Sequence, residues 1–208
     1  MTDSNDTSLS ELAAKLEAHV KELRRQGNHS DLLAAAMKAA DEVEARAPGS
    51  SANEREALTR VRRFTYNAAA DLWPGWGEPG TPSDAQSLQG ALALAQRSAD
   101  LGARLGLGEL QQATGIWLVG AFELALGRYA EALRTFASAR EHYVAGKAPG
   151  LTLLTDGYSA IARELAGPDA LRGADGLDDV CAKINAGAFE DGAEWIQQLR
   201  TARTAFAR

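Results

Sequence analysis

One cysteine, six prolines and a 6% share of aromatic residues are what this 208-residue sequence has least of. The single thiol, Cys181, cannot close an intrachain disulfide, and no second cysteine exists to build a thiolate metal site. Positive charge is also short: 28 acidic side chains stand against 22 basic ones, a net charge of -6 that opposes a phosphate backbone. Nucleic acid is therefore not an expected partner. No apolar run approaches the ~18 residues of a membrane span, so no membrane is expected either. Met1 to Ser8 is polar and acidic where a secretion signal needs positive charge followed by an apolar run, so export is not expected. A reducing cytoplasm suits such a chain.

What is present is apolar periodicity. Ser8 and Glu11 have the spacing of a capping box, and Leu9, Leu12, Leu16, Val20 and Leu23 follow at intervals of three and four, which predicts a helix to about Gln26. Gly27 and Asn28 stop it. Ser30 can cap a second helix carrying Leu32, Leu33, Ala36, Met37, Ala40 and Val43, and a Pro-Gly-Ser-Ser turn at 48 to 51 separates it from a third, from about Asn53 to Leu72.

Residues 73 to 82 hold three prolines and three glycines, which predicts one long loop. Ser83 and Gln86 offer a cap for a fourth helix ending near Gly106. A fifth runs from Glu109 to Leu126, a sixth from Tyr129 to about Ala145, a seventh from Leu151 to Ala166 and a ninth from Phe189 to Ala207. The eighth runs from Asp169 or later to Ala186, and Gly173 and Gly176, poor helix formers, can delay its start to Leu177. No segment alternates apolar and polar residues with β-branched enrichment, so the fold class is all-α with eight or nine helices. The expected organisation is a disordered tail over residues 1–8 and a single helical domain over 9–208.

A search for internal repeats isolates the stretch WLVGAFELALGRYAEALRTFASA, Trp117 to Ala139. Gly127 permits a tight turn, Gly120 and Ala132 let two helices approach, and Tyr129 and Phe136 fill the space beside them. With Ala139, this pattern resembles the tetratricopeptide repeat, with one clear unit at about 114–146. Weaker echoes follow Gly187 and Gly27. The resemblance implies antiparallel helical hairpins stacked as a short right-handed solenoid. It also implies a concave groove, lined by the first helix of each hairpin, that binds a peptide from a partner protein. Fold resemblance of this kind says little about which partner.

Mapped onto this chain, the implied inner wall is made of helices one, three and five. Arg62, Arg63, Tyr66 and Asn67 on helix three and Trp117 on helix five are the candidate groove residues, because guanidinium forks suit carboxylates and aromatic rings supply contact area. The plainer reading is a solvated basic turn of Arg60, Arg62 and Arg63 that pairs with nearby Glu54 and Glu56. Trp73 and Trp76 in the loop either plug the end of a hairpin, each indole N–H meeting a backbone carbonyl, or form a ligand platform with Asp71 as polar anchor. That second option supports an alternative function: an all-α small-molecule or catalytic domain with its pocket beside the Trp73–Trp76 loop. A third alternative is a homodimer through Phe189 to Ala207.

Catalysis finds little support in the sequence. His19, His29 and His142 sit on separate predicted helices without a second ligand at metal spacing, so no metal or cofactor is expected. Cys181 has apolar neighbours and no adjacent basic activator, and reads as a small buried hydrophobe. The glycines from Gly102 to Gly108 follow a helix rather than a strand and lack the lysine of a phosphate loop.

Overall fold

The computed structural model describes residues 3–47, 51–171 and 173–207. Among them there are nine α-helices and no strand: α1 (Asp3–Arg25), α2 (His29–Glu44), α3 (Ala52–Asp71), α4 (Ala85–Arg104), α5 (Glu109–Ala125), α6 (Tyr129–Ala145), α7 (Pro149–Ala166), α8 (Leu177–Ala186) and α9 (Gly192–Phe206). Short 3-10 turns stand at Pro74–Trp76 and Pro168–Leu171.

Local chemistry explains most of these limits. Ser51 opens α3 with a reciprocal capping box: its hydroxyl accepts from the Glu54 N–H, and the Glu54 carboxylate accepts from the Ser51 N–H at 2.9 Å. The remainder of the expected turn at 48 to 51 lies outside the described residues. Gly173 and Gly176 do hold α8 back to Leu177. Several expected starts differ. Helix α1 already begins at Asp3, so it takes in residues 3–8, which read as a tail; that stretch has neither Pro nor Gly to stop a helix. Asn28 caps α2 instead of Ser30, because Gly27, at φ 65°, turns the chain and brings the Asn28 side chain to the Asp31 N–H at 3.2 Å. Asp84 caps α4 in place of Ser83, accepting from the Ser87 N–H at 2.9 Å. Pro149 opens α7 at the position where its missing N–H costs nothing, so α7 starts two residues before Leu151.

The packing order follows the chain. Each helix lies against the next, and the odd-numbered helices also pack side by side, α1 on α3, α3 on α5, α5 on α7 and α7 on α9. Connections of three residues at 26–28, 126–128 and 146–148 join three of the successive pairs. In the α5–α6 pair, Gly127 takes φ 72°, a left-handed turn open to glycine at little cost. A Cβ on Gly120 would stand 2.8 Å from the Phe136 ring, so the close approach of these helices requires glycine there.

Helix α5 is the centre of the core. Trp117, Leu118, Val119, Gly120, Ala121 and Phe122 are all buried, so the helix has no solvent face over this run. Helices α3, α4, α6 and α7 cover part of it, and the Pro74–Trp76 turn covers another part. The long loop between α3 and α4 is thus folded back onto the row of odd-numbered helices, where α9 also contacts it.

Candidate functional site

Helix α3 carries four of the five candidate groove residues, and the structure ties it down on both sides. Glu17 on α1 is only 3% exposed and accepts hydrogen bonds from Arg63 Nη2 at 2.6 Å and Arg60 Nη1 at 3.2 Å. Lys21 adds an ion pair at 3.2 Å. Burial pushes the Glu17 carboxyl up, but hydrogen bonds and charge from Arg63 and Lys21 outweigh it, and the net pKa lies below the ordinary value. On the other side Arg62 donates to the Gln111 carbonyl at 3.0 Å and lies 5.4 Å over the Tyr66 ring. Arg62 and Arg63 therefore face different neighbours, α5 and α1; Arg60 pairs with Glu56 at 2.9 Å as local spacing predicts, whereas Arg63 pairs with Glu17.

Tyr66 is partly buried, and its hydroxyl pKa is pushed up to about 12 by burial first and by Tyr143 second, with Arg62 opposing. Asn67 is half-buried on the same helix. Trp117 is 6% exposed and sits beneath other aromatic rings, so it is a packing residue with no open surface of its own.

Those rings form a cluster built by the loop. Trp73 is fully buried, with ring centroids 5.6 Å from Trp117, 5.6 Å from Tyr158 and 6.0 Å from Phe206. Its indole N–H donates to the Ala121 carbonyl of α5 at 3.0 Å. Trp76 meets Trp73 edge-on at 4.7 Å and donates to the Ala70 carbonyl at 2.6 Å. Edge-on pairs of this kind each add about 0.5–1.5 kcal/mol beyond the area they bury. Trp73 is closed off as a ligand platform by this burial. Trp76 remains 36% exposed.

Beside Trp76 lies an open cavity of about 620 Å3, lined by Arg24, His29, Asp71, Glu78 and Thr81 among others. Arg24 at the end of α1 holds Asp71 at the end of α3 with two parallel hydrogen bonds, Nε to Oδ2 and Nη2 to Oδ1, the second 2.8 Å long. His29 Nδ1 stands 3.1 Å from the Gly80 carbonyl oxygen. A carbonyl only accepts, so the bond places the proton on Nδ1 and leaves Nε2 free. Of the expected site residues, Trp76 and the anchor Asp71 meet at this cavity; Arg62, Arg63, Tyr66, Asn67 and Trp117 do not line it. Glu78 is a cavity residue that the sequence did not single out, since it stands in no motif, and Arg24 and His29 reach the cavity from two separate helices.

Reactive groups do not converge. Among the described residues no cluster of three or more His, Cys, Asp or Glu is arranged to hold a metal. His142 on α6 pairs with Glu109 on α5 at 2.6 Å, and Cys181 is buried, its thiol pKa pushed up by burial. No described helix is long and apolar enough to cross a membrane. At the C-terminus Trp195 packs on Phe189 with centroids 5.7 Å apart and against Gly150. Comparison of the chain with protein-family models, curated proteins and solved structures finds no match to any of them.

Proposed function

We propose that this chain is a non-catalytic, tetratricopeptide-like stack of helical hairpins that binds a peptide segment of a partner protein along the row of odd-numbered helices. The observation that carries the reading is that row itself: α1, α3, α5, α7 and α9 pack side by side, as the first helices of stacked hairpins would. The α5–α6 pair with Gly120, Gly127 and Phe136 is its best-formed unit.

The loop alters where a peptide can lie. The Trp73 turn fills the wall at α5 and α7, so the accessible part of the groove is the cavity between α1, the end of α3 and residues 76–81. Arg62 and Arg63 then serve mainly to fix α3 between its neighbours, and Trp76 with Asp71 and Arg24 makes the contact surface. The same cavity favours a second reading, a small-molecule site, because its volume falls within the range of about 300–1,000 Å3 usual for ligand pockets.

Selection from a displayed random-peptide library on the full chain tests the first reading. Enriched peptides with a shared pattern, whose binding is lost in Trp76→Ala, are expected. Failure to enrich any pattern, or a pattern indifferent to Trp76, overturns it and leaves the small-molecule reading.

A further inference from the structure

The cavity beside Trp76 has a chemistry that selects one kind of side chain. Among the described residues, Trp76 is the single aromatic of the large apolar side chains at least 36% exposed. Its N–H is already given to Ala70, its plane is fixed by the edge-on contact with Trp73, and the Trp117 ring lies 6.2 Å away, so what remains for a ligand is the exposed part of the indole's π surface. Glu78, which lines the same cavity, is exposed and makes no ion pair among the described residues. Its position is set by a turn: Pro79 follows, Gly80 takes φ 81° as the third residue, and the Thr81 hydroxyl closes back on the Glu78 carbonyl at 2.9 Å.

The remaining charges cancel. Arg24 and Asp71 are spent on each other, which leaves Glu78 as the uncompensated charge of the lining. An anion would meet Glu78 and an arginine already held by two bonds. A neutral apolar group would use Trp76 but strip water from Glu78 without replacing it. A cation satisfies both, lying on the indole π surface with its N–H groups toward the carboxylate. The chain's net charge of -6 draws such a partner in.

We propose that this cavity receives a basic side chain, arginine or lysine, of the partner peptide, held between Trp76 and Glu78. The inference rests on the peptide-binding reading for its source of the cation, and the experiment separates the two. Full-length protein is titrated with acetyl-Ala-Arg-Ala-amide, with the same peptide carrying neutral citrulline in place of arginine, and with tetramethylammonium. Backbone amide shifts of Glu78, Gly80 and Thr81 and the Trp76 indole resonance are followed.

The arginine peptide is expected to move these resonances saturably, and the citrulline peptide to bind at least about fivefold more weakly, a ratio in line with a cation on an indole face. Glu78→Gln, in an exposed turn, should weaken the arginine peptide about threefold with an unchanged far-UV circular dichroism melt, and added salt should weaken it further. Equal binding of the citrulline peptide, indifference to Glu78→Gln, or no saturable shift at Trp76 overturns the proposal. Tetramethylammonium binding as tightly as the arginine peptide assigns the site to a free organic cation and overturns the peptide source. Failure of the library selection with intact arginine binding removes the peptide-module function and leaves the cation site standing.

Discussion

The Trp73 indole N–H and the Ala121 carbonyl meet at 3.0 Å across 48 residues of sequence, and this buried bond pins the α3–α4 loop onto the central helix. Ala121 belongs to a helix buried on every side over six consecutive residues, so its inner face needs a cover. Trp73 supplies it. The loop is thus part of the core.

Replacing this side chain tests that role. Trp73→Ala removes the hub of four aromatic contacts and should cost about 3–5 kcal/mol. Trp73→Phe keeps an aromatic ring but loses the N–H given to the Ala121 carbonyl, which retains its partner within the helix, at about 0.5–1.5 kcal/mol. Urea unfolding followed by far-UV circular dichroism should rank them in that order. Equal, small losses would show that the loop is not part of the core.

The buried Glu17 makes stability depend on pH. Its folded pKa lies below the unfolded value of about 4.3, so its contribution is fully present above that value and is lost as pH falls through the folded pKa. Glu17→Gln should lower stability at pH 7 by about 2 kcal/mol, discounted because Arg63 is half exposed. The gap between wild type and variant should narrow on acidification from pH 7 to below the unfolded value. A gap that stays constant, measured by urea midpoints at the two pH values, contradicts the ion-pair account.

Two glycines test the α5–α6 hairpin separately. Gly120→Ala forces a methyl against the buried Phe136 ring and should cost about 1–3 kcal/mol. Gly127→Ala has room but must hold φ 72°, at about 1–2 kcal/mol, and Gly127→Asn should cost less because asparagine tolerates that region. Thermal melts of the three variants check the order. A Gly127→Ala protein as stable as wild type would refute the left-handed turn.

Cys181 should behave as a core residue. It is 6% exposed, and burial raises its thiol pKa, with Arg200 opposing and Asp178 adding to the rise. A disulfide reagent should label it slowly in the native protein and rapidly in concentrated urea. Equal rates in both would show that the α8–α9 end is open.

Much of the fold was legible because helices leave local marks. The limits of α5 and α6 follow from Gly108, Gly127 and the apolar run between them, and the late start of α8 from Gly173 and Gly176. Caps were less legible where two capping residues stand close together, as with Asn28 and Ser30, because the choice depends on the turn before them. The site was legible in part. Trp76 and Asp71 stood out as a loop tryptophan and its acidic neighbour, but partners 46 or 47 residues away, Glu17 for Arg63 and Arg24 for Asp71, leave no periodic signal. Glu17 carried one clue: it lies four residues from Ala13 and three from Val20, both buried, so it falls on the apolar stripe of α1. A charge in that place calls for a partner.

The central claim is that a peptide binds at the open end of the helix row, beside Trp76. Amide hydrogen exchange of the full chain, with and without a library-selected peptide, tests it most directly. Protection is expected at residues 24–32 and 70–81, with little change elsewhere. Protection confined to the opposite edge, around Val144 to Asp156, where Val144 is 54% exposed, would contradict the account and move the binding face to α6 and α7.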